Sequence, residues 1–192
     1  WATNWACSAG WCAVAYGAVL DACVLIPMAL CDVLLRAARR DLYRVHWSGL
    51  ILAEVERNLA KLGIAPAKAR GRAAAMRAAF ERADVTGFAA LIDRMPNHPK
   101  DRHVLAAAVV AGAQSVVTFN LKDFRTVGTA QAHIRAEHPD EFLANLFHLH
   151  PESMVEIIAH QAATLSTRGV PWRPEAVLDR LARQGCPAFA RL

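Results

Sequence analysis

From Ala18 the chain reads Ala-Val-Leu-Asp21-Ala-Cys-Val-Leu-Ile-Pro27, an apolar run interrupted by one acid and closed by a proline. Such a run predicts a short buried strand ending at Asp21, followed by a loop. Pro27 suits the first turn of a helix reaching about Arg39, with Arg36, Arg39 and Arg40 at the carboxyl end, where cations suit the helix dipole. Residues 43–47 alternate as a second short strand. Ser48 is placed to cap a helix over 49–62 that Gly63 closes. Residues 65–84 are Ala-rich and carry Lys68, Arg70, Arg72, Arg77 and Arg82, predicting a helix with a basic face. A short helix over 87–94 then leads into the loop Pro96-Asn97-His98-Pro99.

Behind that loop the spacing predicts a buried helix from about Asp101 to Gly112, a strand over 115–119, and a turn carrying Asn120 and Asp123. The segments 139–147, 151–166 and 174–184 each open with proline, place an acid in the first turn and continue with apolar residues at helical spacing. Alternating short strands and helices argue for a parallel sheet with helices on both faces. Asp101 and Asp123 flank one helix–strand unit, and Asp21 and Asp123 fall at carboxyl ends of strands, the edge where open α/β sheets place their sites. Neither GxGxxG nor a Walker sequence is present, so no nucleotide cofactor is indicated.

A chain of 192 residues suits one domain with a helical appendage. Its 55% hydrophobic content excludes a disordered chain, and the net charge of +5 favours polyanionic partners, nucleic acid first. The five cysteines (Cys7, Cys12, Cys23, Cys31 and Cys186) form no CxxC pair and no zinc-ligand spacing, as befits a reducing cytoplasm. Residues 1–15 lack the positive region of a secretory signal and read as a leader or non-native extension. The apolar stretch 12–31 is too interrupted for a membrane span. Asp21 sits at its centre, where an unpaired carboxylate costs roughly 3 kcal/mol.

The chemistry rests on acids from separate segments: Asp21, Glu54 or Glu56, Asp101 and Asp123. On the 49–62 helix, Ile51, Val55, Leu59 and Leu62 form the apolar stripe, and at about 100° per residue the two glutamates lie on opposite flanks, so periodicity does not choose between them. Carboxylates converging from several segments suit hard divalent cations such as Mg²⁺. Singly, each has a plainer role: Asp101 a helix cap, Asp123 a turn residue, Glu54 a surface acid. Asp21 resists that explanation because a buried unpaired carboxylate is costly. None of the eight histidines has HExxH spacing, and His103, two residues after Asp101, should point elsewhere on the helix. Cys23 has no positioned histidine and reads as a packed thiol.

Four stretches together resemble the PIN domain, more narrowly the VapC-like branch of toxin ribonucleases. These are Val-Leu-Asp21; the Trp47 to Leu59 segment with Glu54 and Asn58; Pro99-Lys100-Asp101-Arg102-His103; and Val117-Thr118-Phe119-Asn120-Leu-Lys122-Asp123-Phe124. The resemblance implies a PIN-like α/β three-layer sandwich over residues 16–150, a central parallel sheet flanked by helices, with extra C-terminal helices (151–192) packed on the same domain. It implies that Asp21, Glu54 rather than Glu56, Asp101 and Asp123 bind Mg²⁺ or Mn²⁺ and are catalytic, supported by Thr118 and Asn120. The implied activity is endoribonucleolytic cleavage by a metal-activated water, leaving 5′-phosphate and 3′-hydroxyl ends. Arg36, Arg39, Arg40 or Lys122 would contact the RNA backbone. A cognate antitoxin and a homodimer are the implied protein partners, with no membrane.

Two other readings compete: an RNA-processing PIN nuclease that is no toxin, and a non-catalytic RNA-binding module. A phosphatase with an aspartyl nucleophile would want a second acid two residues after Asp21, where Cys23 stands.

Overall fold

The computed structural model describes residues 16–128, 133–167 and 170–192; the expected leader, 1–15, lies outside the described residues. The first apolar run forms β1 (Gly17–Leu20), buried along its whole length. It sits at the middle of a five-stranded sheet of order β3-β2-β1-β4-β5, with β2 (Arg44–Ser48), β3 (Asp84–Val85), β4 (Ser115–Val117) and β5 (Arg135–Glu137), all parallel. A central strand of a parallel sheet is covered on both faces, which is why its sequence is continuously apolar.

Register decides what meets at the edge. Leu20 stands opposite Val117, so β1 and β4 finish level, and the Asp21 N–H donates to the Val117 carbonyl at 3.1 Å. The chain leaves β1 toward β2 on one side and reaches β4 on the other. That reversal opens a crevice at the carboxyl ends of β1 and β4.

Asp21 does not lead into a loop, as the apolar pattern implied, but caps a short helix α1 (Ala22–Leu25). Pro27 precedes α2 (Met28–Arg39), and Ser48 caps α3 (Gly49–Lys61) by accepting the Ile51 N–H at 3.3 Å. Helix α4 (Pro66–Ala79) ends earlier than its composition implied. Phe80 leaves the helical region (φ −137°, ψ 67°) to set its ring edge-on against Trp47 at 5.7 Å, and the chain turns into β3. Helix α5 (Arg102–Ala111) packs along β1, β2 and β4 and ends at Gly112, whose φ of +61° places it in the left-handed region.

The three proline-led segments are α6 (Pro139–Leu149), α7 (Pro151–Thr164) and α8 (Pro174–Arg183), with a small antiparallel hairpin of β6 (Ser166–Thr167) and β7 (Val170–Pro171) before α8. Helix α7 lies on α2: the buried Gln161 donates to the Ala29 carbonyl at 3.0 Å, and Arg40 pairs with Glu156. Asp140, in the first turn of α6, accepts the N–H groups of Ala188 (2.9 Å) and Phe189 (2.7 Å), clasping the chain end. No helix among the described residues is long and apolar enough to cross a membrane.

Asp140→Ala orphans two backbone donors and removes an acid from a helix N-terminus. It should lower unfolding free energy by about 2 kcal/mol, read as an earlier urea midpoint with an unchanged slope.

Candidate active site

Asp21 is nearly sealed, 3% exposed, at the end of β1. Its Oδ1 accepts the Ala22 N–H at 2.6 Å, while Oδ2 accepts the Thr118 hydroxyl at 2.6 Å and the Cys23 thiol at 3.2 Å. Both oxygens are thereby oriented by donors from the same sheet edge. Thr118 is itself fixed, because its Oγ1 accepts the Asn120 N–H at 3.0 Å. Asn120 is exposed, and it is this backbone N–H that bonds to Thr118.

Asp123 is half-buried on a 3₁₀ turn (Leu121–Gly128) that follows β4. Its carbonyl accepts the His98 N–H at 3.1 Å, tying that turn to the loop that carries Asp101. Asp101 ends a one-turn 3₁₀ helix (Pro99–Asp101) and is 8% exposed. It caps nothing, since its side chain makes no bond to the first turn of α5. Burial first, and then the charges of Asp21, Asp123 and Glu54, hold the Asp101 carboxyl above its usual range; His103 opposes them. The charges of three acids from three other elements thus reach Asp101 at the carboxyl edge of the sheet.

Glu54, not Glu56, is among the charges that raise Asp101, so the structure separates two residues that periodicity left equivalent. His103 corrects an expectation. Its Nε2 is 3.7 Å from Glu54 Oε2 rather than turned away from the acids. The helical wheel misleads there because Asp101 (φ −111°, ψ 7°) precedes the regular helix and does not share its angular spacing. Cys23 is also closer to the chemistry than a packing thiol: it bridges Asp21 and the Phe119 N–H, which donates to its sulfur at 3.3 Å. Burial, then the charge of Asp21, pushes that thiol up to about 12, so at neutral pH it remains a donor and a poor nucleophile.

The basic residues are more dispersed. Arg36 binds Asp32 (2.8 Å), Thr164 (2.9 Å) and His160, and Arg40 binds Glu156, so both are engaged in fastening α2 to its neighbours. Arg39 is exposed near the end of a helix about 18 Å long that starts at the site's edge. Lys122 is exposed beside Asp123. A groove of about 690 Å³ between α2, α4 and α7 is lined by Arg36, Arg39, Arg40 and Arg72 but by none of the four acids. The convergence of acids therefore locates the site better than concavity does.

The donor set suits a hard cation: carboxylate oxygens, with no Lys or Arg ion pair to any of the four among the described residues. As placed, no three His, Cys, Asp or Glu side chains among the described residues close into a ligand cage. The chemistry of the donors fits Mg²⁺ or Mn²⁺.

Residues 17–122 match the family model described as PIN domain, more than half of the chain. The chain belongs to the PIN domain family. Residues 139–192 match a second model, the VapC50 C-terminal domain. A curated protein of Mycobacterium tuberculosis (strain H37Rv), named "Putative ribonuclease VapC50", is 40% identical over 104 residues, which are 54% of this chain and 60% of that protein. The aligned region thus spans less than two thirds of that relative's length. No solved structure matches the chain. This PIN domain is thus homologous to a protein named as a VapC-type ribonuclease, and its parallel sheet with flanking helices is the PIN-like α/β sandwich.

The raised Asp101 carboxyl has a stability consequence. A carboxyl held above its ordinary 3.8 contributes stability that is present below that value and lost as pH rises through the folded value. Once ionised, the Asp101 carboxylate therefore opposes folding. Asp101→Asn should melt higher than the natural chain in EDTA at pH 7, by about 3 °C for each 1 kcal/mol of relieved repulsion, and should gain less from added Mn²⁺. Scanning calorimetry in EDTA and in Mn²⁺ checks both signs.

Proposed function

We propose that the chain is a Mg²⁺- or Mn²⁺-dependent endoribonuclease that hydrolyses RNA phosphodiester bonds in the cytoplasm, as the toxin of a type II toxin–antitoxin pair. The observation that carries this reading is the gathering of Asp21, Asp123 and Glu54, from three other elements, around the buried Asp101 of a PIN domain. The name of the mycobacterial relative supports the ribonuclease and VapC assignments.

Asp21, Asp101 and Asp123 would hold the metal, and Glu54 would orient it or the attacking water. When bound, the ion supplies neutralisation of phosphate charge and an acidified water. Thr118 and Cys23 keep the Asp21 oxygens aimed. His103 sets the position of Glu54 from the α5 side. The exposed ammonium of Lys122 and the more distant Arg39 contact backbone phosphates, which position RNA without reading its sequence. Arg36 and Arg40 have a smaller part in that contact, because both are already paired. The 3′ oxygen leaves, giving 5′-phosphate and 3′-hydroxyl ends. Leu149 and Val155, 72% and 59% exposed on the C-terminal helices, belong to the face offered to an antitoxin or to a second copy.

Purified protein should cleave total cellular RNA with Mg²⁺ or Mn²⁺ and not with EDTA. Asp21→Asn and Asp101→Asn should each lose about 100-fold or more while remaining folded by circular dichroism. Full activity in either folded variant would sink the assignment. Failure of the neighbouring gene product to bind or inhibit the enzyme would remove the toxin role and leave the nuclease.

A further inference from the structure

The dipeptide Gln184–Gly185, just past α8, touches the two elements that leave the catalytic strands. Gln184 Oε1 accepts the Leu30 N–H at 3.1 Å, in the first turn of α2, downstream of β1 and Asp21. Gly185 lies against the ring of Phe119, downstream of β4. A methyl carbon built at Gly185 would stand 2.7 Å from Phe119 Cε1 and 3.3 Å from Cζ, closer than atoms in contact tolerate. Gly185 also adopts φ +95° and terminates α8, so the helix end that only glycine forms readily is the same residue that admits the ring. The same ring also meets His138 edge-on at 5.2 Å. Phe119 is therefore held between the C-terminal segment and the residue that opens α6.

The backbone of Phe119 belongs to the site. Its N–H donates to Cys23 Sγ, whose thiol donates to Asp21 Oδ2, the oxygen that Thr118, the residue before Phe119, also binds. A shift of Phe119 therefore displaces both side-chain donors on one carboxylate oxygen.

We propose that Gly185 is a positioning residue of the acidic site: the C-terminal segment sets the Asp21 carboxylate through the ring and backbone of Phe119. The region that matches the VapC50 C-terminal domain is thus a working part of the nuclease centre as well as a cover for its helices. The inference rests on the reading of Asp21 as a metal ligand, and its test separates the two.

Three variants of the full chain, Gly185→Ala, Phe119→Leu and Gly185→Ala/Phe119→Leu, are compared with the natural chain. Mn²⁺ affinity is measured by calorimetry, and exchange of the Phe119 amide by NMR in metal-free protein. Gly185→Ala, folded by circular dichroism, should bind Mn²⁺ about tenfold more weakly and exchange the Phe119 amide about tenfold faster. In the double variant the shorter side chain makes room for the methyl. Both quantities should then return most of the way, although the backbone strain at residue 185, and hence the lowered Tm, persists. A Gly185→Ala protein that melts lower but keeps both quantities, or a double variant that restores neither, would overturn the proposal. Should Gly185→Ala not fold, Phe119→Leu alone decides: a gap at the ring must speed amide exchange and weaken Mn²⁺ binding, and unchanged values refute the coupling. Absence of Mn²⁺ binding by the natural chain would overturn the metal-site reading, while amide exchange would still report whether the C-terminal segment holds Phe119.

Discussion

Like charges do not gather unless something stronger gathers them. In a partly solvated protein site two carboxylates repel by an amount on the order of 1–4 kcal/mol that grows as they approach, and four of them compound that cost. Against it stands the sheet: each buried Val or Leu of β1, β4 and the packed face of α3 contributes on the order of 1.5–3 kcal/mol. Leu20, Val116, Val117, Ile51, Leu52 and Val55 are all fully buried, so the core outweighs the repulsion and dictates where the acids end up. Each acid is also carried by a different element: Asp21 on the cap of α1, Asp123 on a 3₁₀ turn, Asp101 on the loop before α5, Glu54 on α3. No single local structure has to tolerate two of them. The residual strain appears where burial is deep and no side-chain cap bond is made, at Asp101. Under the proposed function a divalent cation would relieve that strain, so the unfavourable term in the metal-free fold would become a favourable one for binding.

What could be read from the sequence follows from how each element is stabilised. Strands β1 and β4 are buried on both faces, and continuous apolar runs announce them; Pro139, Pro151 and Pro174 mark helix starts because proline at the first turn loses no needed hydrogen bond. Strands β3 and β5, two and three residues long and only partly buried, carry too little pattern to be seen and exist because the buried strands β2 and β4 beside them supply backbone partners. The site was legible as a set of acids but not as an arrangement. Glu54 and Glu56 flank the same stripe symmetrically, and only the packing of α3 beside α5 tells them apart. The approach of His103 to Glu54 depended on the non-helical backbone of Asp101, and the bridging role of Cys23 on the level finish of β1 and β4. Those are tertiary facts with no local signature.

The tail shows the same principle from the other side. Separate family models cover residues 17–122 and 139–192, yet the two regions share hydrogen bonds that neither could satisfy alone. Gln161 reaches the Ala29 carbonyl, Gln184 the Leu30 N–H, and Arg36 spans from Asp32 to Thr164. Gln161 is fully buried, and a buried amide stripped of its partner costs about 1–3 kcal/mol. Changes in either region must therefore be felt in the other.

These contacts also revise the reading of charge. A net +5 points to polyanions, but several arginines serve the fold: Arg36 and Arg40 bind α7, and Arg72 binds the Leu25 and Ile26 carbonyls at the end of α1. Cations that remain exposed are elsewhere, Lys68 and Arg70 on α4, Arg39 at the end of α2, and Lys122 beside Asp123. Asp21 and Asp101, by contrast, are almost completely covered. Segregation by depth separates an acidic centre from a basic surface. Under the proposed function, screened surface cations, acting over roughly 8–10 Å, would set the long approach of RNA. The buried carboxylates are felt only at the crevice, where no Lys or Arg ion pair to them is found among the described residues.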